Sequence, residues 1–230
     1  RFRIVNDAVV GWSGSLGARP GINIVAGTGS ITYGADSHGG ECRVGGWSLY
    51  FDDEGSCTWV GLRAMSAFFK QSDGRLPRTP LYEIFREHFQ LTKDIYFSEI
   101  ANRDLSNERG RFAKMQLLAE KAFRAGDPTM EALYREAAER LAAMVKATRD
   151  QLRFDGPAPV SYSGGLFKAG EVVLAPFARA IDELGMELQR PQYPPFIGAL
   201  ALAASESLDT DARHALLETL KRSECPNFPV

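Results

Sequence analysis

The sequence predicts an α/β fold with a large helical insertion, and three observations carry that prediction. Short apolar runs at Ile22–Ala26, Ile31–Tyr33 and Glu41–Val44 are separated by glycine-rich or polar breaks, which reads as an antiparallel three-strand meander. From Thr79 to Leu152 apolar residues recur at helical spacing, with Leu81, Ile84, Phe85 and Phe89 followed by Leu133, Ala137, Leu141 and Val145. The chain then alternates again: strand Val160–Ser163, helix Val172–Leu184, strand Met186–Arg190, and a helix from Phe196 to about Ser207. A βββ start, a helical block and a βαβα end fit a mixed sheet interrupted by an insertion.

Bulk properties narrow the class of function. At 230 residues the chain can bury a full core, and its formal net charge of −2 gives no general attraction to nucleic acid or to an acidic membrane. No run of Lys or Arg makes a local basic patch, and no apolar run reaches membrane-spanning length. Neither nucleic acid nor membrane is expected as a partner. Cys42, Cys57 and Cys225 have no paired spacing, so a disulfide framework is not expected and a reducing cytoplasm is. His38 and Cys42 lie near each other, but without a second Cys/His pair they do not make a zinc site. No protein-held metal is expected.

Taken in order, the elements justify themselves. Arg1 to Val5 reads as the inside of a short strand, with no initiator Met ahead of it, ending at Asn6-Asp7. A carboxylate at a strand end can point into a cleft or cap the next segment, here the short helix or turn Ala8–Leu16. After the turn at Pro20, the strand Ile22–Ala26 runs into Gly27-Thr28-Gly29-Ser30. Two readings stand for that turn. It can be a hairpin to Ile31–Tyr33, or a concavity of backbone N–H groups suited to phosphate oxygens. Asp36–Gly40 is a polar hairpin tip, and Gly45-Gly46-Trp47 ends the third strand. Asp53 and Glu54 precede a buried-type helix running to about Lys70 and could cap it. After the loop Ser72–Arg78, helices are expected through Gly126, one of them over Glu108–Arg124, and then over Thr129–Leu152. Glu136 and Arg140 support that last helix at i,i+4. In this insertion His88 reads as a half-buried helix residue. The strand Val160–Ser163 ends in Ser163-Gly164-Gly165-Leu166-Phe167. Pro194-Pro195 opens a helix in which Gly198 permits close packing, and a last helix spans Asp211–Ser223 with His214 at its surface.

These landmarks, in this order, resemble the N-acetylglucosamine kinase family, a branch of the BadF/BadG/BcrA/BcrD-type group of ATPases with an actin-like fold. The matching residues are Asn6-Asp7, Ala26-Gly27-Thr28-Gly29-Ser30, Gly45-Gly46-Trp47, Asp53-Glu54-Gly55-Ser56, Ser163-Gly164-Gly165-Leu166-Phe167, and Pro194-Pro195 with Gly198-Ala199. The resemblance implies an RNase H-like lobe of the actin/hexokinase ATPase type. It implies ATP and Mg²⁺ as cofactors and an amino sugar, N-acetylglucosamine, converted to its 6-phosphate. Asp7 matches the family's catalytic base. Gly27, Thr28, Gly29 and Ser30 match its second phosphate loop. Asn6, Gly45, Gly46, Trp47 and Asp53 match the sugar-lining positions, and Ser163 to Phe167 match the nucleotide-side Gly-Gly turn.

The resemblance also sets expectations for domain organisation. The family's opening strand and its acidic, glycine-rich first phosphate loop have no counterpart here. Residues 1–20 would be the end of an N-terminal lobe and hinge, and residues 21–230 the C-terminal lobe, with its insertion at about 72–153. An N-terminal lobe would be needed for activity, and the fold admits a homodimer. Asp52 stands where the family often has glycine, so the local turn is expected to differ. Three other functions fit the same landmarks: a glucosamine or other hexose-derivative kinase, an ATPase activator of a radical dehydratase or reductase, and a non-catalytic actin-fold binding module. The three cysteines offer no suitable pair for an activator's iron–sulfur cluster, and Asp7 argues against a purely binding role.

Overall fold

The computed structural model describes residues 4–105 and 109–204, together with 211–212, 215–216 and 218–219. The start of the expected first strand at Arg1–Arg3, His214, Cys225 and most of the last expected helix lie outside the described residues.

Five strands form one sheet in the order β3-β2-β1-β4-β5: β1 Gly21–Ala26, β2 Ser30–Ala35, β3 Glu41–Gly45, β4 Pro159–Ser163 and β5 Glu187–Leu188. The first three make the antiparallel meander, with Ile24 opposite Thr32 and Thr32 opposite Val44. β4 then joins β1 in parallel, Ile22 pairing with Val160 and Val25 with Ser163, and β5 adds in parallel beyond it. Two reversals make β3 run the same way as β1, so β1, β3 and β4 all end at one edge of the sheet.

Strand alternation sends the two faces to different partners. Ile22, Ile24 and Ala26 of β1 and Val160 of β4 enter the main core beneath α7 (Pro128–Arg149) and α2 (Cys57–Ser72). α8 (Glu171–Glu183) completes that layer beside α7. Tyr33 and Ala35 of β2 turn to the other face, where α1 (Asp7–Leu16) sets Trp12 edge-on to Tyr33 at 5.5 Å. Behind α1 lies α9 (Pro195–Ala204). A Cβ on Gly198 would fall 2.3 Å from the Val10 carbonyl oxygen, so glycine there is what lets these two helices touch.

The insertion adds α3 (Pro80–His88), α4 (Ile95–Ile100), a π-helical turn at Ala101–Leu105, α5 (Arg109–Lys114) and α6 (Gln116–Arg124). It is built around Phe68, which packs on Tyr82, Phe85 and Phe97 with centroids 5.2–5.6 Å apart. Each such fully buried ring contributes about 1.5–3 kcal/mol from apolar burial.

The structure corrects several expectations. Ile4 and Val5 belong to no strand: they lead directly into α1, and Ile4 is exposed. The helix expected over Glu108–Arg124 is divided at Met115. There Gly61 of α2 lets the Phe112 carbonyl approach to 2.1 Å of where a Cβ would stand. β5 covers two residues rather than Met186–Arg190. His88 is exposed at the end of α3, with its ring edge on Phe89. Ser56 caps α2 by accepting from the Trp59 N–H, so neither Asp53 nor Glu54 does.

Candidate functional site

The two glycine turns meet. β1 and β4 are parallel neighbours, so the turns that follow them stand side by side at the shared edge. Gly164 has φ +105°, and a Cβ there would lie 2.4 Å from the Ala26 carbonyl oxygen. Only glycine allows the second turn to lie against the end of β1. A Cβ on Gly27 would be 3.8 Å from the Gly165 amide nitrogen. Ligands recognised at the carboxyl ends of parallel strands bind at such an edge.

The first turn is held from one neighbouring segment. It closes on itself through the Gly27 N–H to the Gly29 carbonyl at 2.9 Å. All its other named bonds go to residues 53–58. The Cys57 N–H donates to the Gly27 carbonyl (2.8 Å), and the Thr58 hydroxyl donates to the Thr28 carbonyl (2.6 Å). The Ser30 N–H donates to Asp53 Oδ1 (3.0 Å), and the Ser30 hydroxyl donates to the Glu54 carbonyl (2.7 Å). Ser30 is therefore buried and committed to its own scaffold, while Thr28 stands exposed at the top of the turn. Of the two hydroxyls that sequence put forward, Thr28 is the one placed to meet a ligand.

The second turn opens on a cleft of about 600 Å³. Ser163, Gly164, Gly165, Phe167 and Lys168 form one wall. Gly11 and Ser15 of α1, Arg190, and the Tyr193–Pro195 approach to α9 form the other. Leu166 is fully buried and Phe167 nearly so, Phe167 lying against Tyr162 and Phe177. Leu166 anchors the turn from below. Asn23, buried on β1, donates from Nδ2 to the Ser163 hydroxyl oxygen at 3.2 Å and so fixes that side chain at the cleft wall. Burial, and then the bond it donates to Glu218, push the Tyr193 phenol up to about 12, so it stays protonated there.

Asn6 and Asp7 come to the same edge by way of α1. Gly11 packs on Val25 and Ser163, whereas Leu16 packs on Gly21, so α1 runs antiparallel to β1. Asp7 lies one helical turn before Gly11, about 6 Å further toward the glycine turns. Asn6 caps the helix, its Oδ1 accepting from the Ala8 N–H at 2.9 Å. Asp7 is exposed in the first turn, where the helix dipole favours its charge.

The end of β3 supplies the third group. Gly45 and Gly46 adopt φ of +79° and +72°, which turns the chain sharply out of the strand. Trp47 is 73% exposed. Two residues outside the predicted site hold this turn. Arg43 donates to the Gly45 carbonyl from Nε and Nη2 (3.3 and 3.1 Å) and stands 5.0 Å over the Trp47 ring. Asp52 Oδ2 accepts from the Trp47 N–H at 3.0 Å. For Asp52 the one signal was that it stands where the family often has glycine, and for Arg43 there was none. Asp53 is 3% exposed with φ +57°. Among the described residues no group of three His, Cys, Asp or Glu could hold a metal ion.

Known proteins place the chain in a family. The model of the BadF/BadG/BcrA/BcrD ATPase family matches residues 5–203. The N-acetylmuramic acid/N-acetylglucosamine kinase of Clostridium acetobutylicum is 30% identical over 168 residues, covering 70% of this chain and 53% of that protein. The N-acetyl-D-glucosamine kinase of Dictyostelium discoideum is 28% identical over 207 residues, covering 88% of this chain and 65% of that protein. The chain therefore spans between half and two thirds of the length of these curated relatives. A Chromobacterium violaceum structure described as a candidate N-acetylglucosamine kinase superposes with TM-score 0.72 at 29% identity, over 86% of this chain and 64% of that one. A ROK family glucokinase from Streptomyces griseus, at TM-score 0.52 and 18% identity over 86% of this chain and 67% of that one, shares the fold. The fold is that of the RNase H-like lobe of actin-like ATPases.

Proposed function

We propose, for a chain that belongs to the BadF/BadG/BcrA/BcrD ATPase family, that it takes part in ATP-dependent phosphorylation of an amino sugar, N-acetylglucosamine to its 6-phosphate. The observation that carries this reading is convergence. Asp7, the exposed Thr28, both glycine turns and the Gly45-Gly46 turn reach one sheet edge from four separate elements. The names of the relatives support the acceptor class.

Phosphoryl transfer asks a protein mainly to position phosphates and to accept one proton. The abutting turns at Gly27–Gly29 and Gly164–Gly165 suit the phosphate chain, because a Cβ at Gly165 would meet nothing within 4 Å and one at Gly27 nothing nearer than 3.8 Å. The cleft behind Gly165 suits the nucleoside, with Phe167 and Pro194 as apolar walls. Asp7 takes the proton from the attacking sugar hydroxyl as that oxygen bonds to the γ-phosphorus, and ADP leaves with the electrons of the broken P–O bond. Gly45, Gly46, Trp47 and Asp53, with Asn6, line the sugar side. Mg²⁺ supplies charge neutralisation on the phosphates when bound and enters with the nucleotide in this reading.

The reading extends to organisation. Residues 1–20 join this lobe to an N-terminal lobe that contributes the other half of the ATP clamp. Pairing of two copies and a cytoplasmic location belong to the same proposal. No described helix is long and apolar enough to cross a membrane.

The test is sugar-dependent ADP release from Mg-ATP across a panel of N-acetylglucosamine, N-acetylmuramic acid, glucosamine and glucose, using the protein with both lobes. Asp7→Asn is expected to lower kcat by about 10²–10⁴ while sugar still binds. Retained turnover would remove Asp7 as the base, and release of ADP without any sugar requirement would remove the kinase reading.

A further inference from the structure

We infer that Asp53 is a positioning residue of the phosphate turn, and that with Asp52 it links the sugar-side turn to the phosphate-side turn. This rests on the kinase reading for its functional meaning, while its structural content stands on hydrogen bonds alone. The resemblance puts Asp53 on the sugar side, and the structure commits one of its two carboxylate oxygens to the phosphate side. Asp53 Oδ1 accepts from the N–H of Ser30, the last residue of the phosphate turn. It does so from a nearly buried position and in a left-handed backbone conformation that L-residues avoid and that Asp and Asn tolerate best. That conformation also brings the Asp53 carbonyl onto the Ser56 N–H, at the start of the run whose Cys57 N–H and Thr58 hydroxyl hold Gly27 and Thr28.

The neighbouring carboxylate faces the other way. Asp52 Oδ2 takes the Trp47 N–H, and the Asp52 N–H donates to the Ser48 carbonyl at 2.8 Å, closing the loop that follows Gly45-Gly46. Two consecutive side chains thus grip two different turns of the site. A shift of Gly45–Trp47 on sugar binding is carried through one peptide unit to the Ser30 amide. Because that amide is engaged by a carboxylate, it is directed into the scaffold and away from a phosphate.

Two substitutions separate positioning from a plain structural role. Asp53→Asn keeps an acceptor oxygen and tolerates positive φ. Asp53→Gly removes the acceptor but relieves the backbone, so it is the variant least prone to misfold. Amide hydrogen exchange of the full chain should show Asp53→Gly speeding exchange at residues 27–32 by about tenfold or more, with helices α6 and α7 unchanged. Asp53→Asn should stay within about threefold of the parent. In kinetics, Asp53→Gly should raise the KM for ATP about tenfold and lower kcat, whereas Asp53→Asn should act on the sugar KM and leave that for ATP within about threefold.

Equal exchange at residues 27–32 in the parent and Asp53→Gly overturns the positioning role. So does a pair of variants that both raise the sugar KM alone, and in that case the kinase reading survives. If no sugar is phosphorylated by the parent while the exchange contrast is found, the kinase reading fails and the hydrogen-bonded link stands.

Discussion

The two glycine turns of the site have the same outward form and opposite construction. The turn after β1 is shaped by hydrogen bonds with residues 53–58, which take up the carbonyls of Gly27 and Thr28 and the N–H and hydroxyl of Ser30. The turn after β4 is shaped by contact: Gly164 lies on the backbone of Ala26 with no room for a methyl group. A turn made by hydrogen bonds loses its shape gradually as partners are removed. A turn made by contact fails when one atom is added.

The largest effect expected of that contrast comes from adding a methyl to each. Gly164→Ala combines positive φ with a backbone clash and should cost about 3 kcal/mol or more, lowering the melting temperature by roughly 6–12 °C in a chain of this size. Gly27→Ala, whose Cβ would meet nothing nearer than 3.8 Å and whose φ is not positive, should stay within about 0.5 kcal/mol. Calorimetry of the two proteins checks both, and similar melting temperatures would end the distinction. Next in size, Ser30→Ala leaves the partly buried Glu54 carbonyl without that partner and should cost about 1 kcal/mol, read from urea unfolding. The smallest effect belongs to Thr28→Val. Its exposed hydroxyl should matter to ATP alone, raising the KM for ATP roughly threefold to tenfold at an unchanged melting temperature. A drop in melting temperature for Thr28→Val would make that hydroxyl part of the scaffold, as Ser30 is.

What was legible in sequence was local. Gly27-Thr28-Gly29-Ser30 and Ser163-Gly164-Gly165 announce turns because glycine between apolar runs has few other uses. The strands around them follow from short apolar runs between glycine-rich breaks, whereas α1 read as a helix or a turn alike. The roles within a turn were not legible. Thr28 and Ser30 look equivalent in sequence, and only the burial of Ser30 under Glu54 separates them. Asn23 acts through Ser163 on another strand, while Arg43 and Asp52 act through backbone groups of the turn they flank, and of the three Asp52 alone carried a signal, standing where the family often has glycine. The division at Met115 falls where the Phe112 carbonyl lies against Gly61, a contact between segments far apart in sequence. The expected strand at Ile4–Val5 fails for a related reason. Its residues are strand formers, but none of the described strands pairs with them, and propensity without a partner does not make a strand.

The parallel pairing of β1 with β4 carries a consequence for how the protein folds. Its two turns touch, yet more than half the chain's length runs between them. Bringing such distant segments together is entropically costly and slow, and the cost grows with the logarithm of the intervening length, by about 0.6 kcal/mol per doubling. The helical insertion shortens that path before the contact forms. Once its helices have collapsed around Phe68 and α7 has docked across β1, β2 and β3, the chain leaves α7 only a short loop away from the β4 position. On this order of events the meander and the insertion come first. The two halves of the phosphate edge close last, so lesions that slow the collapse around Phe68 should delay the appearance of nucleotide binding more than the appearance of helix signal.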